Sequence, residues 1–432
     1  MGMSGTTRAA RRALDRLAGV HPERGEIPAF IFTDPDLFRL EMDAIFTRCW
    51  LFVGHETEVP APGDYVTRRM GEHPVIMVRG EDGRVRVLLN VCRHRGMRIC
   101  RADLGNASHF RCPYHGFTYK NTGELIGIPF QKEIYGDAVD RGRFGLLEAR
   151  SEAYQGLVFA TWDERAEPLR DYLGAMAWYL DLLAGRAEME VVGPPWRHEL
   201  ATNWKLPAEN FASDAYHTLH THASTAEIGL TPTPRWAKDG YHVYAGRGHG
   251  VMVGTPAARC IFPEELLPEY ARRLRPEQFA LLRTLANMPG TVFPNLSFLI
   301  SAVTLKGRLV SHTELYQWQP LAPDRIEVLS WLLVERSAPP AWKELSRQAY
   351  VLTFGPSGVF SQDDTENWTQ ITRNSRGPVA GRLGFIYEMG KDAQPTGAFA
   401  GPGEAYEGKY SEANARGFYR RWLDLLQEAV EA

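Results

Sequence analysis

Cysteine is scarce in this chain, five among 432 residues, and an odd number without a secretory leader does not build a disulfide framework. Such thiols bind metal or sit buried in a reducing compartment, so the cytoplasm is the expected location. A charge excess of one sign is missing too. With Lys and Arg at 49 against Asp and Glu at 52, the net charge of −3 offers no broad attraction for phosphate backbones or anionic lipid, which argues against a nucleic-acid partner. Residues 284–305 are uncharged, but Asn287, Pro289, Gly290, Pro294 and Asn295 interrupt them. That stretch reads as a turn and a buried strand, and no membrane segment is expected. Residues 6–16 hold four arginines but no apolar core of about 7 to 15 residues, as a secretory signal needs. An exposed basic arm is expected there, with a transit peptide as the lesser alternative. Internal repeats, low-complexity blocks and a Gly-x-Gly-x-x-Gly turn opening a βαβ unit are all absent, so neither a solenoid nor a dinucleotide-binding fold is indicated.

What is present is an ordinary globular mix, 44% apolar and 23% charged, long enough for two or three domains. Asp34-Pro35-Asp36 is an N-cap with proline at the first helical position, and Leu37, Leu40, Ile45 and Phe46 follow at helical spacing. From about Leu51 the pattern turns to short β runs, such as residues 74–79 and 85–91, parted by Gly and Asp turns. Beyond Asp163, helical periodicity over residues 169–183 and 417–432 alternates with long apolar strands such as residues 325–334. The expected organisation is an arm and helix over 1–47, a small β domain over 48–163, and a larger α+β domain over 164–432.

The most informative stretch is Cys92-Arg-His94, then 17 residues, then Cys112-Pro-Tyr-His115. Two Cys and two His in two tight pairs specify a four-ligand metal site. Zinc sites of this composition usually pair like with like, Cys with Cys and His with His. Pairing unlike ligands suits a Rieske [2Fe–2S] centre, in which one iron takes two cysteines and the other two histidines. Cys92 and Cys112 are then expected on the first iron, His94 and His115 on the second. Cys49, Cys100 and Cys260 are expected to be buried thiols.

A second constellation runs from Asn203-Trp-Lys through Glu209-Asn-Phe, Asp214, His217, His220 and His222. Iron that activates dioxygen favours two histidines and one carboxylate on one face, with positions left open. Helical spacing favours His217 with His220, whereas His217 and His222 need a distorted helix; spacing alone does not choose.

The pairs Cys-Arg-His-Arg-Gly and Cys-Pro-Tyr-His-Gly resemble the Rieske family. Respiratory members carry an extra cysteine pair, at positions that fall here on Met97 and Tyr114, so the likeness is to the oxygenase type. The run Asn203-Trp-Lys, Glu209-Asn, Asp214-x2-His217-x4-His222 is similar to the iron-binding segment of the aromatic-ring-hydroxylating Rieske oxygenases, and Phe354-Gly-Pro-Ser-Gly-Val-Phe-Ser-Gln-Asp363-Asp364 to the segment that supplies their carboxylate. The resemblance covers nearly all of the chain beyond its first ~25 residues and looks closest to large (α) subunits of the naphthalene, biphenyl and phenylpropionate dioxygenase branch.

It implies a Rieske β domain inserted near the start of a helix-grip catalytic domain, a curved antiparallel sheet wrapping a helix. It implies His217, His222 and Asp364 as ligands of a mononuclear Fe(II), with Asp363 a loop acid or structural hydrogen bonder. Asp214 is implied as the bridge from His217 to a cluster histidine of a neighbouring subunit. Asn210, Phe211, His220, Phe354 and Phe360 are implied as pocket residues, and Phe117, where relatives often carry tryptophan, as the cover of the cluster. His312 is expected to face solvent from a strand, with a polar anchor in the pocket as its alternative. The implied activity is insertion of both atoms of O2 into an aromatic substrate as a cis-dihydrodiol, with monooxygenation or oxidative demethylation as the alternative. Electrons are expected from NAD(P)H through a separate reductase and ferredoxin, and the assembly is expected to be a trimer, α3β3 with a small β subunit or otherwise α3.

Overall fold

The computed structural model describes residues 16–136, 138–232, 238–257 and 259–431; apart from Arg16, the basic arm lies outside them. The chain forms two compact units, one made of residues up to Ile45 together with Arg170 onward, the other of Phe46–Leu169. Helix α1, Pro35–Ala44, begins where the N-cap signal places it, because Asp34 Oδ1 accepts the backbone N–H of Asp36 at 2.9 Å and of Leu37 at 3.1 Å.

The smaller unit is built from strands β1 (Leu51–His55), β2 (Asp64–Met70), β3 (His73–Arg79), β4 (Val85–Leu89), β5 (Leu104–Asn106), β6 (His109–Arg111), β7 (Thr118–Lys120), β8 (Leu125–Gly127), β9 (Glu148–Tyr154) and β10 (Leu157–Thr161). Seven of them form one sheet in the order β1-β10-β9-β4-β3-β2-β5, and β6-β7-β8 form a second. The Cys92 loop follows β4 and the Cys112 loop joins β6 to β7. Both cysteines belong to the core cluster that Ile76, Leu88, Phe110 and Tyr119 also build.

The larger unit carries a nine-stranded sheet. Its strands are β11 (Met189–Val191), β12 (Trp196–Leu200), β13 (Gly240–Gly246), β14 (His249–Gly254), β15 (Met288–Val292), β16 (Leu296–Leu305), β17 (Arg308–Ala322), β18 (Arg325–Glu335) and β19 (Glu404–Glu407). The order is β11-β18-β17-β16-β15-β14-β13-β19, with β12 also on β18, and every pairing is antiparallel. Helices α2 (Lys205–Ser213), α3 (Pro340–Thr353), α4 (Val359–Ser375) and α5 (Ala413–Glu431) complete it. The fold is therefore α+β, a curled antiparallel sheet packed against helices.

Three expectations need correction. The helix read over residues 169–183 is two short helices, Leu169–Leu173 and Met176–Leu180, followed by a wider turn at Asp181–Gly185; Gly174 parts them with a left-handed backbone, φ +49°. Residues 284–305 hold two strands, β15 and β16, because Pro294 and Asn295 turn the chain back on itself and the strands pair from Met288 opposite Ile300 to Val292 opposite Leu296. His312 does not face solvent: its side chain and that of Glu314 are fully buried, with Nδ1 and Oε1 2.6 Å apart. The alternation rule fails because β17 is covered on both faces over most of its length.

Glu41 joins three distant segments. Its carboxylate accepts from Lys205 Nζ at 2.5 Å, Trp204 Nε1 at 2.8 Å and Trp422 Nε1 at 2.8 Å, and the Glu41 and Lys205 side chains are 1% and 0% exposed. Two indole donors fill the carboxylate's remaining acceptor sites, and the ammonium lies over the Phe32, Trp204 and Trp422 rings. Replacing Glu41 with Ala leaves a buried ammonium and two indole donors without their acceptor. Chemical denaturation should show the larger unit weakened by roughly 3–5 kcal/mol, with Glu41→Gln losing less.

Candidate functional site

In the smaller unit the two ligand loops are near copies of each other. Cys92 N–H donates to the Met97 carbonyl and Gly96 N–H to the Cys92 carbonyl, and the same bonds recur from Cys112 to Phe117 and from Gly116 to Cys112, all within 2.8–3.0 Å. Gly96 and Gly116 both sit at φ +74°, a conformation that costs other residues energy. At Gly116 a Cβ would also lie 2.9 Å from Pro129 Cγ.

The loops bring the His94 and His115 rings to 4.6 Å between centroids and bury Cys92 and Cys112. Burial raises the Cys112 thiol; a hydrogen bond with Cys92 adds to this, while the N–H groups of Tyr114 and His115 pull against it. Burial lowers the His94 imidazole, helped by His115 and Arg95. His94 Nδ1 is buried with no hydrogen-bond partner, a lone pair with nothing to bind within the protein. That orphaned nitrogen, two neighbouring sulfurs and a second imidazole fit a mixed-ligand [2Fe–2S] cluster. Phe117 stacks on His94 at 4.7 Å and 5° between planes, and the Tyr119 hydroxyl lies 3.3 Å from Cys92 Sγ, so aromatics line one side. Among the other cysteines Cys49 and Cys100 are buried and Cys260 only half-buried; none is bridged.

In the larger unit the segment after α2 is not one helix. α2 stops at Ser213, a short 3-10 turn spans Tyr216–Leu219, and a fresh turn of helix runs over Ala223–Glu227. The break sets aside 3.6-residue spacing and turns His217 and His222 toward each other, Nε2 to Nε2 at 3.2 Å. From α4, Asp364 Oδ1 comes to 3.3 Å from His217 Nε2 and 3.2 Å from His222 Nε2. Three donor atoms thus form a nearly equilateral triangle. Its edges are those of donors ~2.1 Å from one shared first-row metal ion and about 100° apart, and the set is the two-histidine, one-carboxylate face that non-heme iron takes. Asp364 Oδ1 has no aligned hydrogen on it. Burial opposes its ionisation, but the adjacent His217 and His222 outweigh this and hold the carboxyl well below its ordinary range.

Each histidine is held from behind. His217 Nδ1 donates to the Asp214 carbonyl at 2.5 Å with the Asp214 carboxylate at 3.5 Å, and His222 Nδ1 donates to Asp363 Oδ2 at 3.2 Å. Such partners set the tautomer that leaves Nε2 free for a metal. Asn210 Nδ2 sits 3.5 Å from Asp214 Oδ2. Asp363 lies on α4, not in a loop. His220 points elsewhere: it is exposed and does not line the cavity.

The triangle opens on a cavity of about 1080 Å³ including its mouth, with Asn210, Phe211, Phe354 and Phe360 among its lining residues. Met252, Asn287, Leu299, Ser301 and Lys409 line it as well. No local motif marks these five, which are neighbours only because the sheet curls. Phe354 and Phe360 pack with centroids 5.0 Å apart, and Phe360 meets His222 edge-on at 4.7 Å.

Residues 187–428 match the family model described as ring hydroxylating alpha subunit (catalytic domain), and residues 49–140 match the Rieske [2Fe-2S] domain. This chain belongs to the ring-hydroxylating α subunits. The α subunit of benzene 1,2-dioxygenase from Pseudomonas putida is 37% identical over 425 residues, covering 94% of this chain and 92% of that one. The α subunit of N,N-dimethyl phenylurea N-demethylase from Sphingobium sp. (strain YBL2) is 36% identical over 431 residues, 94% and 93% of the two chains. The crystal structure of naphthalene 1,2-dioxygenase from Rhodococcus sp. bound to indole aligns with a TM-score of 0.91 at 41% identity, covering 99% of each chain. A ring-hydroxylating α subunit is a Rieske non-heme iron oxygenase, and it works with substrate, O2 and electron-transfer partners. Among the described residues no helix of this α subunit is long and apolar enough to cross a membrane.

Two outcomes follow for the α subunit. Replacing His222 or Asp364 with Ala should remove about one iron per chain by metal analysis while leaving the reduced cluster's EPR signal intact, and turnover should fall by at least 100-fold. The second concerns Glu209, whose carboxyl burial pushes up to about 8, with the Tyr387 hydroxyl donating to it at 2.8 Å. The fold keeps this acid neutral after the unfolded chain has ionised. Stability therefore falls as pH rises from the ordinary value of 4.5 toward 8. Denaturation of Glu209→Gln should match wild type near pH 4 and show a more stable protein near pH 8.

Proposed function

We propose that this chain is the catalytic α subunit of a multicomponent dioxygenase that adds both atoms of O2 to an aromatic ring, giving a cis-dihydrodiol. Electrons come from NAD(P)H through a separate reductase and ferredoxin. The observation that carries the reading is the convergence of His217, His222 and Asp364 on one point beside an aromatic-lined cavity. We assign these three as the ligands of a mononuclear Fe(II), and Cys92, His94, Cys112 and His115 as those of the [2Fe–2S] cluster. The iron, when bound and reduced, supplies dioxygen activation.

The chain's own groups do the rest. Asp214 and Asp363 orient the two imidazoles. Phe211, Phe354 and Phe360 hold a flat ring by shape and dispersion, and the buried walls keep bulk water away from the reacting face. Asp214 is 44% exposed on its far side, where it can meet a cluster histidine of a second chain. Tyr216, Leu383 and Ile386 surround that side and are 48%, 53% and 79% exposed. On the smaller unit Tyr114, beside His115, is 59% exposed. Apolar groups left open around both halves of the proposed link favour assembly of three α chains, and we place a small β subunit on that trimer as α3β3. Unbridged thiols suit a cytoplasmic setting.

The relation to an N-demethylase keeps monooxygenation as the competing outcome. Turnover of arenes under ¹⁸O₂ with a surrogate reductase separates them. Two labelled atoms per product are expected, and a single atom in every product would overturn dihydroxylation. In the same assay Asp214→Asn should load both metal sites yet give at least 100-fold slower product formation from the pre-reduced protein; normal single-turnover product would remove Asp214 from the link.

A further inference from the structure

The iron-side cavity is mostly apolar, and each carboxylate in it already faces a cationic or hydrogen-bonding partner. Asp364 faces His217 and His222, and Asp214 faces His217. Lys409 is different. It follows β19, lines the same cavity as the three ligand residues, and is only 8% exposed. Among the described residues its ammonium makes no hydrogen bond and no ion pair; the one carboxylate that acts on it, Asp239, does so from beyond ion-pair range, while burial lowers its basicity.

A lysine that is nine-tenths buried ordinarily has its charge paired, because removing an ammonium from water is costly. Here the backbone fixes the residue from both sides: Lys409 N–H donates to the Lys238 carbonyl, and the Lys409 carbonyl stands 3.4 Å from His242 Nδ1. These two contacts fix the main chain from which the side chain departs. The space it borders is the one reserved for substrate. In a cavity with apolar walls the polar groups set a ligand's orientation, and among those that line this one a compact ammonium favours an anionic oxygen.

We propose that Lys409 anchors a carboxylate on the substrate, so that this site takes aromatic acids in preference to uncharged arenes. This rests on the ring-hydroxylating reading given above and names the substrate class for it. Lys409 touches the substrate's charged substituent, and the ring is left to Phe211, Phe354 and Phe360.

Binding is read apart from turnover by titrating benzoate and 2-naphthoate, and their neutral amides, into the anaerobic iron-loaded protein by calorimetry. The wild type should bind each acid roughly 10- to 100-fold tighter than its amide, the worth of a hydrogen bond to a charged group. Lys409→Met should bring that ratio close to one, and Lys409→Arg should retain most of it. Equal binding of acid and amide by wild type, binding of neither, or a ratio that survives in Lys409→Met overturns the anchor. The wild-type comparison stands even if the Met variant does not fold. Under ¹⁸O₂ the acids should show the higher kcat/KM, the difference lying in KM. Acid binding that depends on Lys409 without any oxygen incorporation would fail the oxygenase reading alone, whereas dihydroxylation of neutral arenes with no preference for acids would fail the anchor alone.

Discussion

One carboxylate holds the larger unit's working parts in register. Glu41 on α1 accepts from Lys205 and Trp204 at the start of α2 and from Trp422 on α5. α2 is the helix whose broken end presents His217 and His222, and α5 packs along it, with Asn414 Nδ2 donating to the Ala212 carbonyl at 2.7 Å. On its other side α2 is tied to the sheet through Thr291 Oγ1, which donates to the Ala208 carbonyl at 2.7 Å. A charge buried among aromatics is an expensive way to fasten three segments. What it confers is position: the helix entering the site has little freedom to slide, so the ligand-bearing turn beyond it is delivered to one place.

The turn that carries the proposed metal ligands shows why local order has to fail for such a site to form. A continuous helix would set His217 beside His220. Ending α2 at Ser213 and restarting at Ala223 frees the intervening backbone to turn both Nε2 atoms inward. Asp214 serves two purposes in that break. Its backbone carbonyl and side chain steady His217 from one direction, while the rest of its side chain is 44% exposed, as the proposed link to a second chain requires.

The cavity divides labour between shape and charge. Phenylalanines from α2, α4 and the α3–α4 connection supply part of the walls, and such surfaces impose little directional preference on a flat ring. Of the polar groups in that lining, only Lys409 carries a full charge that the protein itself leaves unpaired among the described residues. Behind the wall, the buried carboxylate of Glu314 takes the Tyr316 hydroxyl at 2.7 Å and lies 2.6 Å from His312. That group braces the sheet beneath Phe354 and is closed off from the cavity.

Much of the chemistry was legible in the order of residues, because its signals are local. Cys92 with His94, and Cys112 with His115, each occupy a single loop, and each loop's glycine marks the left-handed turn it needs. The Asp34 cap, the β runs of the smaller unit, and the Asp214 to His222 segment are likewise short-range features that hydrogen bonding and periodicity impose directly. Choosing His222 over His220 already required family likeness, since helical spacing points the other way and only the break in the helix reverses it. The meeting of Asp364 with histidines some 140 positions earlier, the burial of His312 and the placing of Lys409 on the cavity wall were decided by tertiary structure alone. A sheet covered on both faces erases the alternation that would mark inside from outside, and a curled sheet makes neighbours of residues that share no motif.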